Sequence, residues 1–205
     1  MENLLTVIVP VYNQESLITR ALDSIPARPD IEVIVIDDGS IDDTWTVLQA
    51  YRESNRLPNL ILLYNKENKG VSYTVNRGYN NATGKYIVNL GSDDYFYTDQ
   101  LLEVLPILTE CNFDLVYFNL RVNNGDILRL IPENRTSLCG SVKFMRREFL
   151  GESRCPEDKR SGEDWHLMQQ LVAKNPQECY TDKVVKHYNF PREGSLYDQM
   201  VKGQI

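Results

Sequence analysis

The chain has 205 residues, with 22 lysines and arginines against 29 aspartates and glutamates, for a formal net charge of -7. This length allows one well-cored domain and is short for two. The acidic balance argues against a nucleic-acid-binding protein, which usually presents a basic face, and gives no general attraction to an anionic membrane surface. An acidic protein that handles an anionic nucleotide would need a metal ion or local cations at its site.

The apolar runs are too short for a membrane span, which needs roughly 20 residues. The N-terminus passes directly into a strand-like run, so we expect no signal peptide. The four cysteines form no CxxC pair and the only histidines are His166 and His187, so we expect free thiols rather than a structural zinc site. These features predict a cytoplasmic protein, with the inner face of the membrane as an alternative location.

Apolar strand-like runs alternate with helical patterns through the first 120 residues. The predicted strands are residues 4–10, 31–37, 60–64, 85–90 and 113–120. The predicted helices are residues 14–25, a helix capped by Ser40 that runs through residue 51, and residues 71–80 and 100–108. Because short buried strands separated by helices form parallel sheets covered on both faces, we predict an α/β fold with a doubly wound, mostly parallel sheet.

The rhythm changes after residue 120. Residues 126–131 are predicted as a strand, 151–162 as a loop, 163–173 as a helix and 183–190 as a late strand. We interpret this second part as completing the same domain. The prediction is therefore a single domain over residues 1–205, whose nucleotide-binding half covers residues 1–120 and is completed by residues 121–205.

Two acidic pairs follow predicted strands. Asp37 and Asp38 end the second strand, and Asp93 and Asp94 follow the fourth. In open parallel sheets, ligands bind outside the carboxyl ends of the strands, so both pairs are predicted at the ligand-binding edge. Carboxylates clustered there repel one another unless a cation or hydrogen-bond donors are bound, and Mg²⁺ and Mn²⁺ prefer carboxylate and phosphate oxygens. A plain turn with a helix cap and a solvated loop remain the alternatives.

At these residues the chain resembles the inverting glycosyltransferases of family 2, which have the GT-A fold. The resemblance covers roughly residues 4 to 195. It is carried by TVIVPVYNQE at residues 6–15, VIVIDDGSIDDT at 33–44, NKGVSYTVNRG at 68–78, GKYIVNLGSDDYF at 84–96 and GEDWHL at 162–167. No GxGxxG or GxxxxGK[ST] motif is present, so neither a dinucleotide fold nor a P-loop is supported.

The resemblance implies a donor site for a nucleotide-diphosphate sugar, with a UDP-sugar favoured. Asp38 would accept a hydrogen bond from the uracil N3–H, with Asp37 as a second candidate at the same turn. A divalent cation, Mn²⁺ or Mg²⁺, would bind Asp94, with Asp93 and His187 as further candidate ligands. The donor-binding residues implied are Pro10, Tyr12, Asn13, Asp37, Asp38, Lys69, Gly70, Ser92 and Asp93.

The resemblance also assigns the acceptor side to residues 121–205. Asp164 is the candidate general base, because inversion by single displacement needs one carboxylate to take the proton of the attacking hydroxyl. Glu163 and Trp165 would support the acceptor, which is expected to be a glycan or a lipid-linked sugar, in surface polysaccharide assembly. Peripheral membrane contact is left open. Arg192 is a further candidate contact to the diphosphate. The alternative is that Glu163 and Asp164 only stabilise the start of a helix.

Two other classes of function remain as alternatives. A catalytically silent nucleotide-sugar-binding domain of the same fold would be expected to lose its acidic residues, whereas Asp38, Asp93, Asp94 and Asp164 are all present. A sugar nucleotidyltransferase would need a glycine-rich, arginine-bearing loop directly after the first strand, where this chain has YNQE instead. A nucleotide-binding regulator would bind without turnover.

Overall fold

The computed structural model describes residues 3–134, 142–158 and 162–190, apart from the side chain of Glu163. The strands are β1 (Leu5–Val11), β2 (Ile31–Asp37), β3 (Leu60–Tyr64), β4 (Tyr86–Asn89), β5 (Tyr95–Phe96), β6 (Leu115–Val122), β7 (Ile127–Leu128), β8 (Lys143–Arg146) and β9 (Glu178–Tyr188). The helices are α1 (Ile18–Asp23), α2 (Thr44–Glu53), α3 (Val71–Asn81), α4 (Thr98–Glu110), α5 (Arg147–Leu150) and α6 (Glu163–Ala173).

All described strands belong to one mixed sheet, in the order β3-β2-β1-β4-β8-β6-β9-β5, with β7 paired to β6. The long ladders are parallel: β1 pairs with β2 and β4, β2 with β3, and β6 with β9. The antiparallel ladders, which involve β5, β7 and β8, are short. The predicted α/β fold with a mostly parallel sheet is therefore confirmed.

The central strands are covered on both faces. Every residue of β2 is buried, and β1 has only Pro10 partly exposed. A strand that is covered on both faces needs no polar face toward water. The two strands are therefore near-continuous apolar runs that are rich in β-branched residues. One hydrophobic cluster extends from these strands to β6, β8 and α6, so the described parts of the chain share a core.

The direction of the strands decides which loops meet. The strands β1, β2, β3 and β4 are parallel, and their carboxyl ends form one edge of the sheet, here called the carboxyl edge. Since β8 is antiparallel to both β4 and β6, and β9 is parallel to β6, the end of β9 reaches that same edge. The residue that follows β9, Asn189, thereby meets Asp94, which lies in the turn after β4.

Several predicted boundaries were wrong in the second part of the chain. The strand expected over residues 126–131 is limited to Ile127–Leu128, and β9 begins at Glu178 rather than at residue 183. The strands β5 and β8 and the helix α5 were not predicted. They are two to four residues long, and such short elements depend on tertiary pairing more than on a local pattern. The division of the domain at residue 120 stays a prediction.

Candidate active site

The first acidic turn, residues 37–40, follows β2 at the carboxyl edge. Asp37 is fully buried, and its Oδ1 accepts a hydrogen bond from the Ser40 N–H at 2.8 Å. Its Oδ2 is buried with no hydrogen-bond partner in the described parts of the chain. Burial raises the pKa of Asp37 because it disfavours the charged carboxylate, although the Ser40 hydrogen bond partly opposes this. Because this oxygen is buried, a donor on a ligand does not reach it while the turn keeps this conformation.

Asp38 binds the segment that follows β3. Its Oδ1 accepts hydrogen bonds from Asn65 Nδ2 at 2.7 Å and the Lys69 N–H at 3.0 Å. Its Oδ2 accepts a third from the Gly70 N–H at 2.8 Å. Both oxygens thus anchor the chain between residues 65 and 70, at the start of α3. In the described residues Asp38 Oδ2 accepts the single N–H of Gly70, so it keeps a lone pair for a uracil N3–H, whereas the Asp37 oxygen without a partner is buried.

A glycine is required at position 39 because the backbone of the segment at residues 65–70 approaches it closely. Its φ is 74°, a left-handed value that side chains rarely adopt, and a Cβ would lie 2.7 Å from the carbonyl carbon of Glu67. The segment therefore packs directly on the turn. Lys69, predicted near the nucleotide, has its ammonium ion-paired with Glu67 on the exposed side, and the hydrogen bond to Glu67 raises its pKa.

The end of β1 is bound to the same turn. The Asn13 N–H donates to Ser40 Oγ at 2.9 Å, and Asn13 Oδ1 accepts from the Ile41 N–H at 2.9 Å. Asn13 has a φ of 51°, a conformation that asparagine tolerates better than most residues. The Tyr12 side chain is 41% exposed and Pro10 is half-buried, so both are accessible at the edge.

The predicted cap of α2 was wrong. Ser40 receives the Asn13 N–H instead of capping a helix, and α2 begins only at Thr44, whose N–H donates to Asp42 Oδ1. The Ser40 hydroxyl accepts a hydrogen bond from the segment after β1 because β1 and β2 end side by side. The local sequence does not reveal this neighbour.

The second acidic turn, residues 91–94, follows β4. It closes with a hydrogen bond from the Asp94 N–H to the Gly91 carbonyl at 3.0 Å. A Cβ on Gly91 would lie 2.9 Å from Asp94 Oδ2 and 3.1 Å from Asp93 Oδ1, so the two carboxylates converge over the glycine. Ser92 is buried beside them. The Arg20 guanidinium donates to the Asp93 carbonyl at 2.6 Å.

Asp94 has protein partners at both oxygens. Its Oδ2 lies 3.0 Å from the ammonium of Lys186, and the two side chains are 3% and 1% exposed. Its Oδ1 accepts the Asn189 N–H at 2.9 Å. The acidic residues of this edge are therefore stabilised by an internal cation and by N–H donors, so the repulsion expected from the sequence does not by itself require a metal.

His187 is packed and hydrogen-bonded. Its ring stacks on Tyr95 at a centroid distance of 4.6 Å, and its nitrogens Nδ1 and Nε2 lie 3.2 Å from the Tyr97 hydroxyl and 2.9 Å from Asn123 Oδ1. Burial lowers its pKa, which favours the neutral ring. Both nitrogens are engaged, so a metal at His187 would have to replace one of these contacts, and its assignment as a candidate ligand stays a prediction.

The candidate base lies at the start of α6. This helix follows Gly162, whose φ is 72°, and Asp164 Oδ1 accepts the Trp165 N–H at 2.7 Å. The Asp164 side chain is half-buried and the Trp165 side chain is 46% exposed, so the tryptophan is a surface residue rather than part of the core. The side chain of Glu163 and the whole of Arg192 lie outside the described residues.

The acidic residues of the second turn fit a metal site that is completed by the phosphates of a bound nucleotide. Within the described ranges, no group of three or more histidine, cysteine, aspartate or glutamate side chains could hold an ion. Asp93 and Asp94 offer converging carboxylates, and Mg²⁺ and Mn²⁺ are commonly bound through one or two carboxylates together with substrate phosphates. A metal held by this turn and a diphosphate is compatible with these residues, whereas a preformed protein cage is not.

Three residues of the site were missed from the sequence: Arg20, Asn65 and Lys186. Arg20 belongs to a helical pattern without a site signal, and Asn65 directly follows β3, where turn residues are common. Lys186 lies between apolar and aromatic neighbours in β9, and a lysine inside such a run is the one signal that could have drawn attention to it.

Residues 6–165 match the family model of glycosyl transferase family 2. The chain belongs to this family. It is 26% identical to the minor teichoic acid biosynthesis protein GgaB of Bacillus subtilis, an alignment that covers 96% of this chain and 24% of that protein. The chain thus spans about a quarter of that relative.

Solved structures agree with this assignment. The S. aureus TarS structure in complex with UDP-GlcNAc superposes with a TM-score of 0.81 and 26% identity, covering 94% of this chain and 60% of that one. A mannosyltransferase from Pyrobaculum calidifontis in complex with GDP-Man and Mn²⁺ shares the fold, with a TM-score of 0.74 and 22% identity over 95% of this chain and 59% of that one. The fold is that of the GT-A glycosyltransferases. In the described ranges, no helix has the length and apolar character to cross a bilayer.

Proposed function

We propose that this glycosyltransferase moves a sugar from a UDP-sugar to a hydroxyl of a glycan or lipid-linked acceptor, with inversion. The observation that carries the proposal is the meeting of two acidic turns, residues 37–40 and 91–94, at one carboxyl edge of the sheet. This is where ligands bind in open parallel sheets. The similarity to TarS, whose structure holds UDP-GlcNAc, supports UDP as the nucleotide.

The nucleoside would bind between the ends of β1 and β2. Tyr12 is exposed and can contact the base, and Asp38 would accept the uracil N3–H at the oxygen that also accepts the Gly70 N–H. Asp38 would also fix the backbone of Lys69 and Gly70 beside the nucleotide, and Asp37 is the second candidate at this turn. Lys69 would exchange its exposed contact with Glu67 for the diphosphate.

The diphosphate would lie over the second acidic turn. Asp94 and Asp93 would hold Mn²⁺ or Mg²⁺ together with the phosphate oxygens, and the metal would neutralise the charge of the leaving nucleotide. Ser92 would contact the donor beside them. The convergence of both carboxylates over Gly91 supports this assignment. The metal and its identity are part of the proposal.

Transfer would proceed by a single displacement. The acceptor oxygen attacks the anomeric carbon from the face opposite the diphosphate, the bond from that carbon to the diphosphate oxygen breaks, and the hydroxyl proton passes to Asp164. Placement of the acceptor hydroxyl within reach of Asp164 and in line with the anomeric carbon would supply much of the rate. Trp165 is exposed and can stack on an acceptor sugar, with Glu163 as a second acceptor-side group.

The Asp164→Asn variant separates the base from donor binding. We expect UDP binding to be unchanged and transfer to fall about 100-fold or more, the range for loss of a general base. A variant that transfers the sugar at nearly the wild-type rate would remove Asp164 from this role.

The deciding experiment is a calorimetric titration of UDP into the purified chain, with and without Mn²⁺. Binding that depends on Mn²⁺ would support the proposed donor site and justify an assay with UDP-sugars and glycan acceptors, for which the similarity to GgaB suggests cell-surface polymers. Titrations of GDP and dTDP serve as controls. If UDP does not bind in either condition, the proposed donor is wrong, and binding without turnover would favour a silent domain of the same fold.

A further inference from the structure

The buried ion pair between Lys186 and Asp94 joins two distant parts of the chain. Lys186 is on β9, where it pairs with Phe96 of β5, and Asp94 is in the turn that precedes β5. Both side chains are almost completely buried. Removing an ammonium from water is costly, and a carboxylate at 3.0 Å offsets that cost, so this ion pair holds the turn in addition to the hydrogen bond between Asp94 and Gly91.

This ion pair also opposes metal binding. A divalent cation at Asp94 would share the carboxylate with the Lys186 ammonium, while the Asn189 N–H already donates to the other oxygen. Because both side chains are buried, repulsion between the two cations is screened less than it would be in water. A diphosphate next to the turn reverses this balance, since its negative charges attract both cations.

We propose that Lys186 is a positioning residue that couples metal binding to donor binding. In the donor-free protein the Lys186 ammonium is paired with the Asp94 carboxylate that a divalent metal would use. The divalent ion therefore binds well only together with a diphosphate. This inference rests on the proposed donor site at residues 91–94. The linkage is reciprocal, so the metal has to strengthen UDP binding by the same factor by which UDP strengthens metal binding.

The test is a titration of Mn²⁺ alone, followed by the electron paramagnetic resonance signal of the free ion. We expect the Lys186→Met variant to bind Mn²⁺ about ten-fold more tightly than the wild type, and the gain in Mn²⁺ affinity on adding UDP to shrink by a similar factor. Adding Asp94→Asn to this variant should abolish the new affinity, because the ion would lose its carboxylate. Unchanged Mn²⁺ affinity in a folded Lys186→Met variant would overturn the proposal.

Lys183→Met is the matched control. Lys183 is on the same strand, but it forms an exposed ion pair with Glu103, so its loss should leave Mn²⁺ affinity unchanged. Circular dichroism checks that each variant is folded, and Lys186→Gln is the substitute if Met is not tolerated. The wild type alone also provides a test: equal affinity for Mn²⁺ with and without UDP would contradict the coupling.

The outcomes distinguish the inference from the proposed function. Failure of UDP, GDP and dTDP to bind would reject the donor site, whereas the comparison of Mn²⁺ affinities needs no nucleotide. If UDP and Mn²⁺ bind to the wild type but Lys186→Met leaves both the affinity for Mn²⁺ and its dependence on UDP unchanged, the function stands and the role of Lys186 is wrong.

Discussion

The two acidic turns at the carboxyl edge hold their carboxylates by different means. In the first, Asp38 accepts three N–H groups from the segment at residues 65–70. In the second, Asp94 is held by the ammonium of Lys186 and one backbone N–H. N–H donors fix a geometry and cannot be exchanged for an ion, whereas an ammonium can be opposed or replaced by another cation. The first turn is therefore suited to shaping the site and the second to binding a charged ligand.

The largest expected effect is at the second turn. Asp94→Asn leaves the buried Lys186 ammonium without this carboxylate, and breaking a buried pair from one side costs about 3–5 kcal/mol of unfolding free energy. Urea unfolding measures it. The matched control is Glu103→Gln, which breaks the exposed ion pair between Glu103 and Lys183, a lysine on the same strand as Lys186. This loss should cost about 1 kcal/mol or less. Equal costs for the two variants would mean that the buried pair does not stabilise the turn.

A smaller loss is expected at the first turn. Asp38→Asn replaces one acceptor oxygen by an amide NH₂ that faces backbone N–H groups, so at least one of them loses its partner, at about 1–3 kcal/mol. Hydrogen exchange at the Lys69 and Gly70 amides should become faster, because these amides are the donors. The control Asp43→Asn changes an exposed side chain in a nearby loop. Protection of both amides at the wild-type level would show that Asp38 does not anchor the segment.

The smallest expected effect is a gain in stability on replacing Asp37, and this gain depends on pH. Burial raises the pKa of Asp37 in the folded chain, so ionisation of this carboxyl opposes folding. The contribution of Asp37 to the free energy of unfolding is full below its pKa in the unfolded chain and is lost as the pH rises through its pKa in the folded chain. Asp37→Asn keeps an acceptor for the Ser40 N–H and should be about 1 kcal/mol more stable than the wild type at pH 7.

Thermal unfolding across a pH series checks this expectation. The difference between Asp37→Asn and the wild type should fade below about pH 4, where the carboxyl is protonated in both states. A difference that is independent of pH would contradict the assignment.

Local pattern was sufficient for the first part of the fold apart from the two-residue strand β5. The five predicted strands and four predicted helices of the first 120 residues are present, because buried parallel strands are continuous apolar runs and amphipathic helices separate them. The pattern failed for short strands with antiparallel partners, as for β5 and β8, and for the start of β9, which pairs with β6 before a shift in register. Ser40 was misassigned because its partner, Asn13, follows a different strand.

The sequence by itself determined the family, the parallel sheet and the placement of Asp37, Asp38, Asp93 and Asp94 at strand ends, because these depend on runs and motifs within short windows. Only the tertiary structure decided what each carboxylate contacts. Asp38 meets Lys69 and Gly70, and Asp94 meets Lys186 from 92 positions away. Contacts of this kind follow from the order and direction of strands, which bring β9 to the carboxyl edge. The charge of a site is therefore a property of the fold, even when its residue types can be read along the chain.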